Sequence, residues 1–322
     1  MRRRDLITLL CGAAGWMSAA GAQERPRVIG FLSSISAAEL ARYSAAFFRG
    51  LQDTREGRNA SIEYRFADGR YDRLPSLVAE LLGRDVALLA CVDAPSAAAA
   101  KAATKTVPIV FSTGADPVKM GLVDSFSRPG GNLTGVSALI SVLGPKRLEL
   151  LDELLPTATT IVILVNPDNP NILADAPETQ AAADALKRHL VVLKARTESD
   201  LEAAFITMVQ QKAGGLIVMP DPFFIARRGQ LVALAARHAM PTIYPIRDFA
   251  EVGGLMSYGS NLLEGYRLTG VYAGKILDGA KPADLPIQQS ARFEFLINLK
   301  TAMTLGLAIP PSLLARADEV IE

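Results

Sequence analysis

One order of buried strands, each closing on a small polar or proline signature, runs through this chain twice. Arg27-Val-Ile-Gly-Phe-Leu32 ends in Ser33-Ser34, and Thr160-Ile-Val-Ile-Leu-Val165 ends in Asn166-Pro167. Val86-Ala-Leu-Leu-Ala-Cys-Val-Asp-Ala-Pro95 is answered by Gly215-Leu-Ile-Val-Met-Pro-Asp-Pro222, and Val107-Pro-Ile-Val-Phe-Ser112 by Met240-Pro-Thr-Ile-Tyr-Pro245. These runs are short, continuously apolar and without a helical period, so they read as strands covered on both faces. Amphipathic helices are predicted between them, with Leu40, Tyr43, Phe47, Phe48 and Leu51 forming one stripe over 37–55 and others at 74–82 and 96–103. Strands alternating with helices imply a doubly wound parallel sheet, and the repetition implies two α/β lobes.

Two glycine turns, Arg128-Pro-Gly-Gly-Asn-Leu-Thr-Gly135 and Gly253-Gly-Leu-Met-Ser-Tyr-Gly259, each feed a short strand and then a helix, 145–155 and 262–277. They mark the crossings of a multi-strand hinge, the first near Val136 to Ile140. The expected division is 26–137 plus about 260–282 in the first lobe and 138–259 plus about 283–322 in the second, reasonable for 322 residues.

Ahead of the first strand, Arg2, Arg3 and Arg4 precede an apolar run from Leu6 to Trp16 and then Ala20-Gly21-Ala22. That is the pattern of a secretory leader cleaved after Ala22, and its apolar run is shorter than the roughly 20 residues of a membrane span. The arginines fit both the general and the twin-arginine export routes. Losing the leader takes the formal charge from +1 to −1. A nearly neutral chain without a basic cluster lacks the concentrated Lys/Arg surface that nucleic acid requires. Once Cys11 leaves with the leader, Cys91 stands alone, so no intramolecular disulfide is expected.

In doubly wound sheets ligands sit beyond the carboxyl ends of the strands. The residues there are small or polar and include Ser33, Ser34, Asp93, Ser96, Thr113 and Asp116 in the first half. Asn166, Asp168, Asp221 and Asp248 are their counterparts in the second. Ser33, Ser34 and Ser96 precede predicted helices, where they can hold a ligand carboxylate or simply cap the helix. Asp221 is the expected partner of a ligand ammonium, and Asn166 is aimed outward by Pro167. Tyr43, Tyr71, Phe223, Phe224, Tyr244 and Tyr258 are candidates for a stacking wall. Only His189 and His238 follow the leader, both read as helical, with no metal-ligand spacing, nucleophile elbow or phosphate-cradling glycine loop. No catalytic residue, metal or cofactor is therefore assigned. A cofactor-free racemase would need a second thiol beside Cys91.

Several segments together resemble the substrate-binding proteins of ABC transporters with the type I periplasmic binding protein fold, in the group of tryptophan- and phenylalanine-binding receptors. They are Val28-Ile-Gly-Phe-Leu-Ser-Ser34, Tyr71-Asp-Arg-Leu-Pro75, Asp116-Pro-Val-Lys-Met-Gly-Leu122, the two glycine turns, Leu164-Val-Asn-Pro167 and Ile309-Pro-Pro-Ser-Leu-Leu314. The resemblance implies two flavodoxin-like lobes and a monomer that closes over a small solute, an aromatic or branched amino acid, in the periplasm. It also implies docking on an inner-membrane ABC permease; a receptor feeding a membrane sensor or chemoreceptor is the alternative. Carried over by position, Ser33, Ser34, Ser96, Thr113, Asn166, Asp221, Tyr244 and Tyr258 are the expected ligand-binding residues. The segment 52–59 is shorter than the glycine-rich turn of the family.

Overall fold

The computed structural model describes residues 27–169, 172–289 and 292–322, so the leader expected over 1–22 lies outside the described residues. The strands are β1 (Val28–Ser33), β2 (Ser61–Phe66), β3 (Leu88–Cys91), β4 (Ile109–Thr113), β5 (Leu133–Ser137), β6 (Thr160–Val165) and β7 (His189–Lys194). They continue with β8 (Gly215–Val218), β9 (Thr242–Tyr244), β10 (Met256–Ser260), β11 (Gln288–Gln289), β12 (Phe293–Asn298) and β13 (Glu319–Ile321). One sheet has the order β11-β5-β4-β3-β1-β2 and the other β13-β12-β10-β9-β8-β6-β7. Every pairing is parallel except that of β10 with β12. The two doubly wound parallel lobes expected from the repeat are thus present.

Each central strand is buried along its length because helices cover both faces. In the first lobe the helices Ala37–Gln52 and Leu262–Leu277 pack on one face with Phe31, Leu88 and Val110, while Leu74–Leu82 and Ala94–Ala103 pack on the other with Leu32, Leu89 and Phe111. The second lobe repeats this with Glu198–Gln210 and Arg228–Arg237 on one face and Gly144–Leu154 on the other.

The chain crosses between the sheets after β5, after β10 and between β11 and β12. The last crossing falls later than the expected boundary near 283, because Gln288 and Gln289 still pair with Val136 and Ser137. Ser260 Oγ donates to the Ala138 carbonyl at 2.6 Å, tying two crossings together. The buried Arg147 guanidinium donates to the carbonyls of Ile140 (2.6 Å) and Tyr258 (3.0 Å). His189, read from sequence as helical, opens the edge strand β7, and His238 caps the end of the helix Arg228–Arg237. The polar ends of His189-Leu-Val-Val-Leu-Lys194 hide its strand character, since one face of an edge strand meets water.

Candidate functional site

At the carboxyl end of β3, Asp93 is the N-cap of the helix Ala94–Ala103: its Oδ1 accepts the Ser96 N–H at 2.9 Å while Ser96 Oγ donates to the Asp93 carbonyl at 2.9 Å. Its Oδ2 accepts from Ser33 Oγ at 3.0 Å and from the Ser34 N–H at 2.7 Å. Three of the expected ligand-binding residues, Ser33, Ser34 and Ser96, therefore converge on one carboxylate, which they orient. At the end of β4, Thr113 Oγ1 accepts the Ala115 N–H at 3.1 Å.

In the second lobe Asp221 is almost fully enclosed, at 1% exposure, and accepts from Asn166 Nδ2 (3.0 Å), Asn169 Nδ2 (2.7 Å) and the Phe223 N–H (2.9 Å). Tyr71 reaches across from the first lobe and donates its hydroxyl to the same carboxylate, 3.1 and 3.2 Å from its two oxygens. Burial pushes the Asp221 carboxyl up to about 6 against the pull of these donors, and burial raises the Tyr71 phenol well above its usual range. A second bridge runs from Tyr43 to Asp248 at 2.6 Å, with Arg42 pairing with Glu251 at 2.9 Å beside it. Glu39 and Arg228 form a further ion pair between the lobes.

Between these bridges lies a cavity of about 80 Å³, room for several waters. Asp93, Ser112 and Thr113 line its first-lobe side, Pro220, Pro222, Ile225 and Ile246 its second-lobe side, with Asn169 among them, and Ser141 lines it just past the first crossing. Ile35, Val92, Ile140 and Leu262 extend the apolar wall, as do the rings of Tyr43 and Tyr266, which lie 5.0 Å apart. The cavity is a mostly apolar enclosure with one carboxylate and a few hydroxyls, the composition of a small-molecule site.

Thr113 is the expected ligand-binding residue that lines the cavity directly. Ser33, Ser34 and Ser96 stand behind Asp93. Asn166 and Asp221 lie behind Pro220 and Pro222, where the four donors occupy Asp221. Asp93, not Asp221, is the carboxylate that lines the cavity. Tyr244 stacks on Phe249 at 4.7 Å inside the second lobe, and Tyr258 packs against Phe295 at 6.3 Å; neither lines the cavity. Phe223 and Phe224 are likewise core residues. Asn169, Ser141, Ile246 and Tyr266 were not singled out from sequence. Asn169 had a signal in Asn166-Pro-Asp-Asn169, a strand end carrying two amides.

The family model for ABC transporter substrate binding proteins matches residues 29–321. The chain belongs to this family. This substrate-binding protein is 26% identical over 287 residues to a tyrosine-binding protein of Clostridioides difficile strain R20291, covering 88% of this chain and 82% of the relative. It superposes with a TM-score of 0.81 on an ABC domain from Streptococcus pneumonia in complex with L-Trp, at 25% identity over 91% of this chain and all of the other. Against a ligand-free, open substrate-binding protein of Clostridium difficile, 26% identical over 92% of this chain and 99% of that one, the TM-score is 0.63. At similar identity the substrate-binding protein superposes better on the ligand-bound relative than on the open one. The bridges from Tyr71 and Tyr43 join the two lobes in this arrangement.

Proposed function

We propose that this protein is an exported, monomeric receptor that captures an aromatic α-amino acid between its lobes, presents it to an ABC permease of the inner membrane, and carries out no chemistry on it. The observation that carries this reading is the cavity itself, in which Asp93 is the single carboxylate facing apolar and aromatic walls contributed by both lobes. A half-buried carboxylate set among apolar walls favours a cationic partner, and a ligand ammonium supplies one. The tyrosine and L-Trp named for the two relatives support an aromatic side chain in the apolar part. The pattern of residues 1–22 supports export to the periplasm with cleavage after Ala22. Among the described residues no helix is long and apolar enough to cross a membrane.

A ligand touching both lobes stabilises the closed arrangement over the open one by its differential contacts, and the closed shape is the signal to the transporter. Paired ammonium and carboxylate ends with an enclosed ring suffice for a micromolar dissociation constant, about −8 kcal/mol. Calorimetric titration with L-tyrosine, L-tryptophan and L-phenylalanine tests the reading. Asp93→Asn loses the charge and sets an NH2 against the Ser34 or Ser96 N–H, so it should melt below the native protein and, at a temperature where circular dichroism shows it folded, bind at least about 30-fold more weakly, a loss of about 2 kcal/mol. Equal affinity of Asp93→Asn and the native protein would remove Asp93 from the site, and absence of binding to all three amino acids would refute the ligand class.

A further inference from the structure

Ser141 is the first residue past the crossing that leaves β5 at Ile140, and it lines the cavity. It is 4% exposed, and its Oγ has no hydrogen-bond partner. Buried hydroxyls in native proteins are nearly always partnered, so an orphan in a cavity wall points to a group that the cavity receives. Tyr43, Tyr266 and Thr113, which also line the cavity, have hydroxyls engaged within the fold. Tyr43 donates to Asp248 at 2.6 Å, Tyr266 donates to the Val92 carbonyl at 2.9 Å, and Thr113 Oγ1 accepts the Ala115 N–H at 3.1 Å. The Ser141 backbone is itself anchored, its N–H donating to the Gly114 carbonyl at 2.9 Å, which fixes the residue beside the end of β4.

The geometry places Asp93 and Ser141 on either side of that strand end. Cys91 pairs with Phe111, which sets Asp93 level with Thr113, and Ser141 lies beyond Gly114 on the β5 side. Two strand spacings separate them, about 10 Å between backbones. An amino acid's ammonium and carboxylate lie about 3 Å apart, and with a hydrogen bond of about 2.8 Å at each end the remainder is within reach of the two side chains. Resting on the reading that the ligand is an aromatic amino acid, we infer that Ser141 donates its hydroxyl to the ligand's α-carboxylate while Asp93 takes the ammonium. The ligand backbone then lies along the polar strand ends, and its side chain points to Pro220, Pro222 and Ile246. Ser141 thereby selects for α-amino acids over amines of the same shape.

Ser141→Ala separates this role from a structural one, because the two move stability in opposite directions. Removing an unpartnered buried hydroxyl should leave the melting temperature of the ligand-free protein unchanged or raise it. Calorimetry should show affinity for L-tyrosine and L-phenylalanine both falling by about ten- to a hundredfold, the scale of one hydrogen bond to a charged group. Affinity within twofold of the native protein would overturn the inference. A loss confined to L-tyrosine would also overturn it, assigning Ser141 to the phenol instead of the carboxylate. A fall in ligand-free melting temperature together with affinity would make Ser141 structural. Native protein that binds neither amino acid would refute the ligand class and this inference with it, an outcome distinct from intact native binding that Ser141→Ala leaves undiminished.

Discussion

Asp221 is a carboxylate that the fold has taken out of water and surrounded with donors from two loops and from the opposite lobe. Native Asp221 keeps its proton up to about pH 6, whereas the unfolded chain gives it up near 3.8. Between those values the native state binds more protons, so this group favours the fold most below pH 3.8, and that contribution is lost as pH rises through 6. Replacing Asp221 by Asn removes the titration. In thermal unfolding from pH 7 to pH 4, the native protein should gain on Asp221→Asn by an amount on the order of 3 kcal/mol. Parallel curves would show that Asp221 does not titrate in this window. The same enclosure explains why the sequence misled about Asp221. A carboxylate between two prolines at a strand end invites a ligand, but whether local donors saturate it depends on Asn169 and Tyr71, which only folding brings there. Asp93 was visible as a strand-end acid, yet nothing in one sequence ranks it above Asp221.

At the level of elements, the helices Ala37–Gln52 and Leu262–Leu277 lie backbone to backbone. A Cβ on Gly270 would sit 2.0 Å from the Phe47 carbonyl oxygen, and one on Gly50 1.8 Å from that of Arg267. Gly270→Ala must push the helices apart, and the cost of overpacking, about 1–3 kcal/mol, exceeds the gain in helix propensity of about 1 kcal/mol or less. Gly265→Ala, on the same helix with open space around its Cβ, retains only the gain. Urea unfolding should therefore show a lower midpoint for Gly270→Ala and an unchanged or higher one for Gly265→Ala; equal midpoints would contradict the close packing. Both helices were legible because each carries one apolar stripe. The helix Glu198–Gln210 was not, since Ile206 and Val209 are about half exposed and blur its polar face. β11 is a pair of exposed glutamines held by β5, with no local pattern to announce it.

For the whole molecule, the duplicated layout carries most of the architecture: two lobes, parallel sheets and strand ends facing one another. What it left open was which side chains reach the gap. Tyr244 and Tyr258 lie in strands that turn them into the second lobe's packed layers, whereas Ile246, Leu262 and Ser141 enter the cavity from segments just past strand ends. That distinction depends on strand twist and on the paths of the three crossings, which periodicity does not encode. A receptor of the proposed kind must hold one small solute with both lobes at once. A crystal structure of the protein grown with L-tyrosine tests it most directly. Density is expected inside the cavity with the ammonium within hydrogen-bond distance of Asp93 and the ring against Pro220, Pro222 and Ile246. Density touching residues of one lobe alone, or an empty cavity in crystals saturated with the amino acid, would contradict it.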